Sequence, residues 1–219
     1  MMNTRPLATA AALLFFFAVA ALLGSAPQPA QAQTAGAEQE AQIRQLLEER
    51  DREIKDILGA EGAFSQAQRE ELMTLINGLI DFRAMGQTAL GPHWRDLSAS
   101  QREEFVTVFS QVVEEQSLSD LAPYRAPVSY EAVSVSGDSA YVRTIARQQG
   151  ERIPVEYDLV YRPDADGGDG AWRAQDIIVD EVSTVGGYKR SFRSIIRRHG
   201  YQALVKSLRD RLERTQGSG

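Results

Sequence analysis

The chain has 219 residues, with 30 acidic and 24 basic side chains, two histidines and no cysteine. A net charge of −6 argues against nucleic acid as a partner, because nucleic acid calls for a basic stripe. The absence of cysteine excludes disulfides, thiol catalysis and Cys-based metal sites, and His93 and His199 alone exclude a histidine-rich one.

The first 32 residues have the layout of a secretory signal peptide: Arg5 as positive n-region, an apolar run from Leu7 to Leu23, and Ala30-Gln31-Ala32 as a small-x-small cleavage site before Gln33. The rival reading is an uncleaved anchor, since the run is near the lower limit for a spanning helix. No Cys stands at the cleavage site, which argues against a lipoprotein. The remainder is long enough for one domain with its own core. Residues 33–42, rich in Ala, Gln and Glu, read as a flexible linker, residues 43–214 as the domain, and residues 215–219 as a polar tail.

From Ile43 the apolar positions Leu46, Leu47, Ile54, Ile57 and Leu58 mark an amphipathic helix ending near Gly59. Ser65 to Gln68 is a capping box for a second helix, with Leu72, Leu75, Ile76 and Leu79 as its stripe. Asp81 caps a third, carrying Phe82, Met85 and Leu90 and stopping at Gly91-Pro92. Ser98 to Gln101 is another capping box, opening a helix in which Phe105, Val108, Phe109, Val112 and Val113 recur at three and four and which ends near Leu121, before Pro123.

The texture then turns to period two. Val128–Val135 and Ala140–Gln148 read as strands joined by Ser136-Gly137-Asp138, a hairpin signal. A third strand runs from Ile153 to Arg162, where Val155, Tyr157, Leu159 and Tyr161 alternate with polar residues. Residues 164–170 form a hairpin loop, and Trp172 starts a fourth strand reaching Val179. Gly186-Gly187 breaks that strand from a helix beginning at Tyr188, with Phe192, Ile195 and Ile196 on one face and Arg197, Arg198 and His199 in the last turn, where cations suit the helix dipole. Gly200 falls at the cap, and Leu204, Leu208 and Leu212 mark a final helix. Helices, a four-stranded antiparallel meander, then helices is an α+β pattern. A curved sheet wrapped by helices makes an NTF2-like cone open at one end.

Few residues invite chemistry. The loop Asp164–Gly170 resembles a calcium loop but has Gly168 at the fifth position and Gln175 at the twelfth, which favours a plain turn. Asp176 sits among apolar residues of the fourth strand, so it is expected to bond backbone groups or an arginine, an unpaired buried carboxylate being costly. An enzyme reading would use Asp176, His93 or Tyr188 converging inside a cavity. Lys189, Arg190, Arg193 and Arg197 make a basic stripe on an acidic chain. Its bland account is a solvated face, and its sharper one is docking to anionic head groups or an acidic partner. The apolar stripes are read first as a solid core, against the alternative of a ligand cavity.

Several spaced pieces, in order, resemble one family. They are Asp81-Phe82-Arg83-Ala84-Met85, then Leu90-Gly91-Pro92-His93-Trp94-Arg95, then Gln101-Arg102 and Phe105. After them come Trp172, Arg173, Asp176, Ile177, Val182, Ser183, Tyr188, Phe192, Gly200 and Leu204. The chain is similar in these to the periplasmic MlaC-type (toluene-tolerance) phospholipid carriers, from roughly Phe64 to Leu212. It departs from their pattern at His93, Thr184 and Gly187.

The resemblance implies a non-enzymatic protein, exported to the periplasm, that holds acyl chains in an open apolar cavity between sheet and helices. The expected lining is Met85, Leu90, Phe105, Phe109, Val112, Tyr157, Leu159, Tyr161, Ile177, Val179, Tyr188, Phe192 and Ile196, with Lys189, Arg190, Arg193 and Arg197 as the docking face. The implied cargo is a phospholipid or a hopanoid, with no cofactor beyond it. The implied partners are an inner-membrane lipid ABC transporter complex and an outer-membrane lipoprotein–porin complex. A filled-core adaptor without ligand stands as a further alternative.

Overall fold

The computed structural model describes residues 29–59, 64–119, 121–163 and 170–216, and side chains from residue 36 to residue 215. Most of the expected signal peptide and most of the loop considered for calcium lie outside the described residues.

Five helices precede the sheet, the first four being α1 (Pro29–Leu58), α2 (Gln66–Asn77), α3 (Phe82–Leu90) and the single turn α4 (His93–Asp96). A long α5 (Ala99–Ser119) leads through a 3-10 turn at Pro123–Arg125 into β1 (Val128–Ser136), β2 (Ser139–Gln148), β3 (Glu151–Arg162), β4 (Ala171–Val179) and β5 (Val182–Ser183). Helices α6 (Thr184–His199) and α7 (Tyr201–Gln216) close the chain. The sheet is a five-stranded antiparallel meander in chain order.

The sheet therefore has one strand more than the four expected. Asp180 and Glu181 adopt positive φ of 48° and 63°, the geometry of a tight primed turn whose twist suits a hairpin, and the chain folds back so that Val182 pairs with Val179. The N-terminal boundary also moves. The stretch expected as a linker, 33–42, is drawn into α1, because Ala, Gln and Glu favour the helical state and extend the helix whose packed residues begin at Ile43.

The glycine pair is the third correction. Gly186-Gly187 lies inside the first turn of α6 and does not precede it. Ser183 is the cap, accepting from the Gly186 N–H at 2.8 Å. A Cβ on residue 186 would stand 2.9 Å from Ser183 Oγ, so glycine here lets the cap close. At the other end Gly200 has φ 82° and ψ 172°, a region essentially confined to glycine.

Both expected capping boxes form. Ser65 Oγ accepts from Gln68 N at 3.2 Å while Gln68 accepts from Ser65 N at 3.0 Å, and Ser98 and Gln101 repeat the exchange at 3.2 and 2.9 Å. Asp81 caps α3 through Ala84 N at 2.8 Å, and its other oxygen accepts from Arg162 at 2.7 Å. The backbone on either side of Ile80 bonds Ala174, with Asp81 N donating to Ala174 O at 2.8 Å and Ala174 N to Leu79 O at 2.7 Å. The entry to α3 is thus fastened to the free edge of β4.

The interior falls into three apolar clusters. One is helical, built from α3 to α7 around Met85, Phe105, Phe109, Phe192 and Leu204. The second lies on the sheet under α1, with Ile43, Leu47, Val142, Leu159 and Trp172 at its centre. The third joins α1 to α2 through Ile54, Leu58, Leu72 and Ile76.

Candidate functional site

The expected lining residues are divided between two of these clusters. Met85, Leu90, Phe105, Phe109, Val112 and Phe192 are buried in the helical one, and Tyr188 and Ile196 pack against it half-buried. Leu159 is buried in the sheet cluster, with Tyr157, Tyr161 and Ile177 half-buried beside it. Val179 departs from the expectation: it is 43% exposed at the end of β4, where the chain reverses into the short β5.

Strand register explains the sheet contribution. Tyr157 faces Val142 on one side and Ile177 on the other, and Leu159 faces Ala140 and Ala174. These alternate residues share one face. A bulge between Asp158 and Leu159 leaves Gln175 as the extra residue of β4 and keeps Ala174 and Ile177 on that face. Burial holds the Tyr157 phenol up at about 12, helped by nearby Tyr124 and Asp51, so it stays neutral.

The helical contribution is a set of rings. Phe105 and Phe109 stack at 5.5 Å, and Phe192 meets them edge-on at 5.8 and 5.9 Å. Tyr188 meets Phe109 edge-on at 5.1 Å. Buried phenols usually find a hydrogen-bond partner. The Tyr188 hydroxyl donates to Gln116 Oε1 at 2.5 Å, and burial raises its pKa. Gln116, 72 positions away in the chain, was not legible as a site residue, since nothing local marks it.

Strand β4 and helix α6 are coupled by one carboxylate. Asp176 accepts from Ile177 N at 2.9 Å and Val185 N at 3.1 Å through one oxygen, and from Ser183 Oγ at 2.5 Å through the other. The expectation of backbone partners holds. Two of its three donors, Ser183 Oγ and Val185 N, belong to the turn that starts α6, so Asp176 is a positioning residue.

The candidates for catalysis do not assemble. Asp176 is committed to three bonds and Tyr188 to Gln116, while His93, half-buried at the start of α4, makes no hydrogen bond among the described residues. The described residues contain no group of three or more His, Asp or Glu able to hold a metal ion. They also contain no helix long and apolar enough to cross a membrane.

Lys189, Arg190, Arg193 and Arg197 are all exposed on α6. None has an ion-pair partner among the described residues, although carboxylates elsewhere pair readily, as Arg143 does with Glu131 and Glu156. The first three, with Gly186, border a pocket of about 320 Å³. A groove of about 540 Å³ opens between α6 and α7, lined by Tyr188, Ser191, Phe192, Ile195, Ser207, Leu208, Arg211, Arg214 and Thr215. Of the expected lining residues only Tyr188 and Phe192 border it. Ser191 and Ile195 are its other α6 residues, and the rest lie on α7, whose periodicity revealed Leu208 but gave no reason to single out Arg211 or Ser207.

The fold is α+β with a large apolar interior, and among the described residues the expected catalytic candidates are not brought together. The chain belongs to the MlaC family, whose model matches residues 48–210. It is similar in fold to a phospholipid-binding protein from Ralstonia solanacearum solved in complex with a phospholipid. The TM-score is 0.63 at 21% identity, over 81% of this chain and 98% of the other. No curated protein sequence matches the chain.

Proposed function

We propose that this protein is a phospholipid-binding carrier, exported to the periplasm after removal of residues 1–32, that moves lipid between the outer and inner membranes as the soluble part of an ABC-transporter system. The observation that carries this reading is the MlaC family match across residues 48–210. The phospholipid held by the similar Ralstonia solanacearum protein supports it.

Physical chemistry gives such a carrier its task and its simplicity. Each methylene costs about 0.8 kcal/mol to expose to water, so a two-tailed lipid leaves a membrane slowly unless an apolar interior receives it. Acyl chains then occupy the space between the sheet face of Tyr157, Leu159 and Ile177 and the helical residues Phe109, Tyr188, Phe192 and Ile196. The sheet wrapped by helices is the closed form of an NTF2-like cone, and lipid entry parts the two clusters. The exposed cations of α6 meet an acidic surface on the transporter complex or on the outer-membrane lipoprotein–porin complex. The cargo is a phospholipid, with a hopanoid as the second candidate. No covalent step is required.

Native mass spectrometry of the mature protein from its own periplasm, followed by lipid extraction, tests the reading. A two-chain lipid at one per protein is the expected result. A bare protein mass, with no lipid taken up from vesicles, would sink it. The replacement Ile177→Asp, on the half-buried rim of the sheet cluster, should abolish retention while leaving a folded protein by circular dichroism. Full retention would remove the sheet face from the lining.

A further inference from the structure

The groove between α6 and α7 has a chemistry of its own. Its floor is apolar, formed by Phe192 and Leu208, which are buried, with Ile195 and the Tyr188 ring beside them. Its rim carries two guanidinium groups, Arg211 and Arg214, and three hydroxyls, Ser191, Ser207 and Thr215. None of the nine lining residues is acidic, on a chain with 30 acidic against 24 basic residues. Thr215 spends its proton on Arg211 O at 3.1 Å. Arg211, Ser191 and Ser207 make no side-chain hydrogen bond or ion pair among the described residues, unlike neighbouring Arg209, which pairs with Glu104 at 2.6 Å. The three unpaired donors, from Arg211, Ser191 and Ser207, border an apolar floor and select a ligand with an anionic head and a hydrocarbon body. Guanidinium suits phosphate because its planar fork can donate two bonds to one group. The volume of about 540 Å³ falls in the range of roughly 300–1,000 Å³ typical of small-ligand sites.

We propose that this groove binds a phosphate-bearing amphiphile, its phosphate held by Arg211 and Arg214 with the Ser191 and Ser207 hydroxyls, and its first methylenes laid over Phe192, Ile195 and Leu208. The proposal deepens the carrier reading and rests on it for the identity of the amphiphile as a glycerophospholipid. The groove is then a head-group seat that borders the helical cluster at Tyr188 and Phe192. It discriminates by phosphate, whereas an apolar interior discriminates chains poorly.

The test uses the mature full chain and three probes: dihexanoyl phosphatidic acid below its micellar concentration, dihexanoylglycerol, and inorganic phosphate. Binding is followed by calorimetry and by amide chemical shifts. The phosphatidic acid is expected to bind at least about tenfold more tightly than either other probe, shifting the amides of Ser191 and Ser207. Arg211 is exposed, so Arg211→Gln should fold normally and weaken phosphatidic acid by about tenfold, the scale of one charge-assisted hydrogen bond. Arg211→Lys should lie between. Equal binding of phosphatidic acid and dihexanoylglycerol would overturn the phosphate seat. Inorganic phosphate binding as tightly as the lipid would make the groove a free-phosphate site, and indifference to Arg211→Gln would remove the groove altogether. The carrier reading fails separately: a protein that retains no long-chain lipid yet binds phosphatidic acid through Arg211 would lose only that reading.

Discussion

Around Phe109 the chain packs ring on ring, with Phe105, Tyr188 and Phe192 each within 6 Å of its centroid and helices α3 to α7 supplying the walls. Around Leu159 the partners are Val142, Ala140, Ala174 and Trp172 on a sheet, and the roof over them is Ile43 and Leu47 of a single helix, joined by Leu79. That helix is tied down lightly near the roof: Arg44 donates to Tyr130 O at 3.3 Å and lies 5.7 Å from the Tyr130 ring centroid. The two regions are equally apolar but differ in how many elements must move to open them. The helical cluster is a scaffold locked by several helices at once, whereas the sheet cluster is closed by one.

Truncation tests that difference most strongly. Phe109→Ala removes a fully buried ring from four-way aromatic packing and is expected to cost about 4 kcal/mol, since locked surroundings cannot collapse into the cavity. Ile43→Ala, equally buried, should cost about 2 kcal/mol, because α1 alone can settle onto the sheet. Urea denaturation midpoints, converted with the slope of each curve, compare the two. Equal losses would mean that the sheet roof is as rigid as the helical scaffold.

The link between the regions is Asp176, on the sheet but bonded to the start of α6. Ser183→Ala removes both the cap of Gly186 N and the donor to Asp176, and is expected to cost about 1–2 kcal/mol. Asp176→Asn should cost a similar amount. In a double-mutant cycle the pair should lose less than the sum of its parts, because both act on one network. Simple additivity would mean that strand and helix start are held independently.

What the sequence revealed tracks how local each cause is. The boxes at Ser65–Gln68 and Ser98–Gln101 involve residues three apart, and both were legible. The α+β order and the strands were legible because period two persists over long runs. Gly186-Gly187 misled, since glycines in isolation read as a break; the reason they continue a helix is Ser183, itself held by Asp176 across a hairpin. The fifth strand was missed because Asp180-Glu181 lacks the glycine or asparagine that usually marks a primed turn. The same apolar alternation serves both clusters, so the spacing of Leu159 and Phe192 says that each is interior but not that they lie in different cores. The partner of Tyr188 and the groove neighbours of Arg211 depend on which helices meet, which only the assembled chain fixes.

The smallest effect probes the outer face of the sheet, opposite the one that packs under α1. Asp158 stands directly across from Asp176 in the β3–β4 register, and like charges in that position repel. Its carboxyl is pushed above the ordinary aspartate range by burial first, then by Asp176 and Glu156. A carboxylate with a raised folded-state pKa favours folding in its protonated form. Its stabilising contribution is therefore complete below the unfolded value of about 3.9 and is lost as pH rises through the folded one. Asp158→Asn removes that loss, so the variant should be more stable than the parent at pH 7 by up to about 0.5 kcal/mol, a small figure because the site is largely solvated. The advantage should shrink as pH falls below the unfolded value of about 3.9, where the parent aspartate becomes protonated in both states. A variant less stable at pH 7 would show that Asp158 accepts a bond the fold needs. An advantage unchanged by pH would show that repulsion across the strands is not its source.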